Sequence, residues 1–491
     1  MLLNQALPFN TEEESRSDWL ALISRGSLYF LIGGLLAFGK DFAYLGIDTP
    51  FTRIYISEIF IAFNILTVAA DLLRGRFDPK IKYVIWFLPL IIYGVVLAAF
   101  GFFEHGILAI RQYAMIYYCI IAVLIYIRFH LNDIHNLLLV ILICSLMRVA
   151  LRIFDLLFDN FALPNIGPLA ISANATALII LYYLIYNMRS GKKWYISLLL
   201  LLPYLHLSLY PKSSLFMAYI SMAFIYLVCN AFRRHRAAIA WGRIGLIILI
   251  TILVNAISYY SVTFAGDKDH IDAQLFSEMN TIINPKLGLE DESPKTDEIV
   301  LIGKEATKKE KAIISQRKNS HWRIIVWTSA LDEFFRQPFF GKGFGSYFTA
   351  PQLKDLSYDY SENIDPHNSY LHLLMRAGLI GFILFLLPHL IMLFRVFVVI
   401  RHGSVSRWQL VKPWLLILTG LSAIAFFNVV LENSFGAIPY WFVFGIILII
   451  CNATPESIKH NKKGCVHIHL RKSLAKELLE GKGIDAPPFY K

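Results

Sequence analysis

His367 follows Asp365 and Pro366 directly in the stretch DPHNSYLHLLMRAGLIGF, residues 365–382. Asp ahead of Pro is a helix-start pattern. The carboxylate caps the first turn, and proline takes the first helical position, where its missing N–H costs nothing. The pattern places His367 in the first turn. Unpaired N–H groups and the positive end of the helix dipole gather there, which attracts an anion and disfavours an imidazolium. A neutral imidazole is what a general base for a hydroxyl requires. A surface histidine at a loop–helix junction fits the same local residues as well.

Arg323 and Trp327 stand four residues apart in HWRIIVWTSALDEFF, residues 321–335, where apolar residues recur at helical spacing. On one helix face the pair can form a cation–π contact, and a guanidinium so fixed can grip phosphate oxygens through two hydrogen bonds. An amphipathic helix on the membrane surface with a snorkelling arginine is the competing reading. Asn319 or Ser320 would cap this helix, and Pro338 would follow its end. The turn PFFGKGFGSYF, residues 338–348, carries Gly341, Gly343 and Gly345 without the spacing or preceding strand of a dinucleotide fingerprint. It reads as a tight turn, with an anion nest as the alternative.

Charges inside apolar runs are costly and each marks a candidate functional position. Arg111 stands near the outer end of a fourth apolar run, and Arg148, Arg152 and Asp155 recur at helical spacing in the fifth. Lys212 sits in the tight turn YPKSSLF, and Glu432 at the outer end of the eleventh run. Snorkelling competes for Arg111 and Lys212. Asn174 reads as a helix–helix hydrogen bond, and His389, after Pro388, as a packed histidine at a kink.

The elements that must position these residues are set by composition. The chain has 491 residues, 57% hydrophobic and 16% charged, with mean hydropathy +0.55. A soluble protein carries about 25% charged residues. Runs long enough to cross a bilayer recur along most of the chain, near 18–38, 53–73, 82–104, 107–127, 135–157, 166–187, 193–210, 212–230, 243–264, 378–400, 412–431 and 435–452. This is the pattern of an all-α polytopic membrane protein of about twelve spans. It excludes a soluble enzyme, a nucleic-acid-binding module, a disordered scaffold and a β-barrel.

The net charge of +11 is concentrated in alternate turns and in the C-terminal tail, while the short turns on the other side hold only Lys40, Arg53 and Lys212. The positive-inside rule then places both termini in the cytoplasm. The acidic start, Glu12 to Glu14, makes a poor signal peptide, so the first span is read as a retained anchor. The five cysteines show no disulfide or zinc spacing. The expected organisation is a cytoplasmic tail (1–17), nine spans (18–264), a large periplasmic loop (265–368), three further spans (369–452) and a cytoplasmic tail (453–491). The loop holds 13 Lys/Arg against 17 Asp/Glu. Its first half, residues 267–318, reads as partly flexible.

Arg323 with Trp327, Pro338 with the glycine turn, and His367-Asn368 ahead of Leu371 and Gly378 together resemble the shared core of bacterial O-antigen ligases and of O-antigen and exopolysaccharide polymerases. A late, long periplasmic loop between spans extends the likeness to the topology. The resemblance implies a polyprenyl-pyrophosphate-linked glycan donor and a hydroxyl acceptor outside the inner membrane, a glycan or lipid A-core. It implies no cofactor, metal or nucleotide sugar.

By the same resemblance, His367, Arg323 and Lys212 would be catalytic. Arg111, Arg148, Arg152, Trp327, Asn368 and Glu432 would bind substrate. The family more often has arginine where Lys212 stands. Lysine keeps the charge but loses bidentate recognition, a departure that leans toward a polymerase. The leaving lipid pyrophosphate is already activated, and direct displacement at the anomeric carbon would invert it. Ligase, polymerase and protein O-glycosyltransferase all fit. A transporter or flippase for an anionic or lipid-linked substrate would also explain the spans and buried arginines, but not the constellation on the loop.

Overall fold

A backbone inside a bilayer must satisfy its own polar groups, so the apolar runs fold as helices. The computed structural model describes residues 19–50, 52–75, 79–131, 308–351, 365–402 and 405–453, with isolated positions between 133 and 147 and between 221 and 225. Ten α-helices appear among them. These are α1 (Trp19–Phe38), α2 (Lys40–Ala43), α3 (Ile56–Leu73), α4 (Leu88–His105), α5 (Ile107–Tyr117), α6 (Ile120–Arg128), α7 (Lys308–Arg336), α8 (Ser369–His402), α9 (Val405–Phe427) and α10 (Ser434–Asn452).

Among the described residues six helices are long and apolar enough to cross a membrane, and counting the pair α5–α6, bent by 48°, as one span brings the number to seven. They coincide with the seven expected spans that fall among the described residues. The other five, between 135 and 264, lie outside them apart from isolated positions, as do both tails, Asn174 and loop residues 265–307. The chain is thus a mostly helical, polytopic membrane protein; the figure of twelve spans reaches beyond the described residues.

The bundle is built around α10, whose span is wholly enclosed. It packs on α6 and α9. At Gly445 a side-chain carbon would sit 2.9 Å from the Ala122 carbonyl oxygen, so glycine permits the close approach of α6. Trp441 packs edge-on against Phe87 and Phe385. His389 is buried beside these rings. Its Nδ1 lies 2.8 Å from the Phe385 carbonyl and its Nε2 2.8 Å from the Tyr440 hydroxyl, the packed histidine expected. Polar pairs join other helices. Ser24 donates to Asn64 at 2.5 Å between α1 and α3, and Arg128 meets Asp71 at 2.6 Å at one end of the bundle.

Two features amend the all-α expectation. Between α2 and α3 the chain forms a small antiparallel hairpin, β1 (Gly46–Asp48) with β2 (Arg53–Tyr55), in the register Gly46↔Tyr55, Ile47↔Ile54 and Asp48↔Arg53. In addition, α7 begins at Lys308. Asn319 and Ser320 therefore lie inside it and cap nothing, and residues 308–318, the end of the half read as partly flexible, are helical. The run KKEKA supplies strong helix formers, which let the helix start a few turns before its apolar face does.

The feature that most shapes the site is a break in α8. Gly378 has φ 65°, ψ −170° inside the helix, so the break falls there and not at Pro388. The turn after α7 repairs the interrupted ladder. Leu379 and Ile380 N–H donate to the carbonyls of Pro338 and Phe339 at 2.8 and 3.1 Å. Lys342 and Gly343 N–H donate to Met375 and Arg376 carbonyls at 2.8 and 3.0 Å. The Tyr93 hydroxyl donates to the Ala377 carbonyl at 2.7 Å. Gly341 and Gly378 face each other: a side-chain carbon on either would lie 2.5 Å from the other's backbone nitrogen.

Candidate active site

One end of the bundle gathers the hairpin, the α4–α5 turn, the glycine turn, the segment 365–368 and the turn between α9 and α10. His367 stands in that segment with φ 52°, the left-handed region that side chains rarely adopt, and no other non-glycine among the described residues does so. It precedes the helix rather than lying in its first turn. The cap is Asn368, not Asp365: its Oδ1 accepts the N–H groups of Tyr370 and Leu371 at 3.1 and 3.0 Å, and α8 starts at Ser369. The Asn368 side chain is thereby engaged in capping and buried.

Two tryptophans of α7 hold the strained segment. Trp327 donates its indole N–H to the Pro366 carbonyl at 2.6 Å, and its ring packs on Phe426 and Phe427. These contacts seat Trp327. Trp322 meets the His367 ring edge to face, centroids 5.2 Å apart. Arg323, on the same helix, is close enough to act on His367 electrostatically. Burial first, and then the Arg323 guanidinium, hold the His367 pKa below its ordinary value, while the carboxylates of Asp365 and Glu432 pull it the other way. The net direction favours the neutral imidazole, and its source is burial and a cation rather than a helix terminus.

Glu432 lies in the α9–α10 turn and is the acidic end of a buried chain of polar groups. Ser369 donates its hydroxyl to Glu432 Oε2 at 2.6 Å and accepts the N–H groups of Val430 and Leu431. His372 places Nδ1 3.1 Å from Glu432 Oε1 and 3.8 Å from Asp365. The Nε of Arg376 donates to His372 Nε2 at 3.3 Å, and its Nη1 donates to the Ser346 carbonyl and, at 2.8 Å, to the Ser346 hydroxyl. Arg376 is fully buried, and its Nη2 has no hydrogen-bond partner among the described residues. Sequence reading passed over Ser369, His372 and Arg376. A signal existed, since His372 and Arg376 are charged or polar residues one turn apart at the head of an apolar run.

The glycine turn is no anion nest. The N–H groups of Gly341, Lys342, Gly343 and Gly345 are already engaged with Gln337, Met375, Arg376 and the Gln112 side chain. Arg111 is exposed at the same end. It donates to Thr52 at 2.6 Å and lies 6.0 Å from the Tyr55 ring centroid. Tyr55 adjoins Tyr44, whose hydroxyl pKa is raised by burial, by Tyr55 and by Asp365, so the hairpin links Arg111 to the His367 segment. The structure thus brings together His367, Arg323, Trp327, Asn368 and Glu432, with Arg111 alongside. Lys212, Arg148 and Arg152, with Asp155, lie outside the described residues.

Residues 213–386 match the O-antigen ligase family model. The match supports the resemblance to the O-antigen ligase and polymerase superfamily read from the sequence. It contains Arg323, Trp327, the glycine turn, His367, Asn368 and Gly378, and it begins one residue after Lys212. No curated protein matches the chain. The family supports glycan transfer of the ligase or polymerase kind in general, with lipid-linked glycan substrates, by a multi-pass membrane protein.

Proposed function

We propose that the protein transfers a glycan from a polyprenyl-pyrophosphate carrier to a hydroxyl acceptor at the periplasmic face of the inner membrane, as an O-antigen ligase or a polysaccharide polymerase. The observation that carries this is His367, strained and with its pKa lowered by burial and by Arg323, within the segment that matches the O-antigen ligase family. His367 takes the proton of the acceptor hydroxyl. The hydroxyl oxygen attacks the anomeric carbon, and the bond from that carbon to the pyrophosphate oxygen breaks with inversion. Arg323 and Lys212 stabilise the charge that develops on the departing pyrophosphate, with Arg111, Arg148 and Arg152 as further cations. Losing one such donor typically costs about 10²–10³ in rate. The carrier is already an activated leaving group, so the reaction as drawn needs neither metal nor nucleotide.

A deletion strain tests the reading and divides its two forms. Full-length lipid-linked polymer accumulates if the protein is a ligase, and single lipid-linked repeat units if it is a polymerase. Purified protein makes product without ATP or an ion gradient. Product formation that requires either one, or glycan uptake that survives His367→Ala, points to a transporter instead.

A further inference from the structure

The chain Glu432–His372–Arg376 has a definite protonation pattern. The Nε of arginine can only donate, so its contact with His372 Nε2 requires a bare lone pair there. The proton of the imidazole is then on Nδ1, which donates to Glu432 Oε1. Glu432 therefore accepts two hydrogen bonds, from His372 and from Ser369, as a carboxylate. A buried cation and a nearly buried anion are thus joined through a neutral ring. Asp365 and Glu333 also act on the guanidinium electrostatically, but without the bridge Arg376 Nε and Glu432 Oε1 would each lose a hydrogen bond in a low-dielectric interior, where a poorly paired charge is expensive. The bridge also spans elements: Arg376 is tied to Ser346 in the glycine turn, His372 is on α8, and Glu432 is on the α9–α10 turn, near enough to His367 to act on it electrostatically.

We propose that His372 and Arg376 are positioning residues for the transfer, the neutral imidazole coupling the buried guanidinium to Glu432 so that the α9–α10 turn and the head of α8 hold His367 in register. This rests on the function proposed above. His372 moves no proton in the reaction; it holds two charges at a set distance. Glutamine can do the same, with its amide donating to Glu432 and its carbonyl accepting from Arg376. Leucine can do neither.

The test is complementation of the deletion strain, reading surface polysaccharide per unit of protein in the membrane. His372→Leu is expected to lower it by about 10²-fold, the scale of a small misplacement of reacting groups. His372→Gln is expected to restore it to within about threefold of the native protein, a fraction of one hydrogen bond. His372→Leu at native activity overturns the proposal. So does His372→Gln as inactive as His372→Leu at equal protein level, which would make the imidazole a proton carrier. His367→Ala is run in parallel, and full activity there overturns the function proposed above instead. If His372→Leu does not accumulate, nitrogen-15 NMR of the native protein decides, with His372 assigned by its loss in His372→Gln. A protonated Nδ1 and bare Nε2 are expected at neutral pH, and a protonated Nε2 overturns the bridge.

Discussion

His367 sits where a side chain is strained and a base is useful. A left-handed residue with a side chain costs about 1–2 kcal/mol relative to a relaxed one. His367→Gly should therefore leave the protein as stable or stabilise it by about 1 kcal/mol in detergent melting, while abolishing transfer. The charge environment makes a second prediction. In the transfer proposed above the neutral imidazole is the working form, and its pKa is lowered by burial and by Arg323, so activity should persist as pH falls and be lost only below the ordinary value of 6.5. Arg323→Gln removes the cation that lowers it and should move the acid limb of the pH–rate profile toward higher pH, besides slowing the reaction. Glu432→Gln removes a charge that raises it and should move the limb the other way. At this scale the sequence was informative about identity and less so about geometry. His367, Arg323 and Trp327 were singled out from type and spacing, and the structure brings them to one end of the bundle. The αL turn and the Asn368 cap were not, because Asp365-Pro366 carries an equally good start signal three residues early. His372 and Arg376 were hidden by a hydropathy boundary: the apolar run was counted from Gly378, which left them outside the span they belong to.

The elements are joined by the break in α8. Gly378 and Gly341 both have positive φ and touch through backbone alone, whereas Gly343, with φ 82°, has open space where a side chain would go. Gly378→Ala and Gly341→Ala should each destabilise strongly, by about 2–4 kcal/mol, since they combine strain with a clash. Gly343→Ala should cost only about 1 kcal/mol of strain. Thermal melting of the three variants gives the ranking, and equal losses would contradict it. The helices themselves were readable because the bilayer imposes length and composition on each. The role of the glycine turn was not. Its hydrogen-bond partners, Met375 to Ile380, come more than thirty residues later, and no local rule connects a turn to the interior of a distant helix. The hairpin between α2 and α3 was missed for a related reason, since strands of three residues are too short to show alternation.

At the scale of the molecule, the described residues carry polar pairs both between helices and at the ends of the bundle. The end opposite the candidate site carries the buried ion pair of Arg128 and Asp71, with side chains 7% and 13% exposed. Arg128→Ala leaves Asp71 uncompensated and should cost about 3–5 kcal/mol. It should do so without shifting the pH dependence set by His367, which separates a stabilising pair from a working one. The same global view gives the mended helix a meaning for biogenesis. An amide or carbonyl left bare in hydrocarbon costs several kcal/mol, so a helix interrupted at Gly378 is a poor substrate for release into lipid on its own. The segment that closes the gap emerges from the ribosome first. Synthesis from N- to C-terminus therefore delivers the splint before the fracture, and a chain re-ordered so that α8 precedes residues 338–345 should be inserted poorly even with every contact of the finished protein preserved.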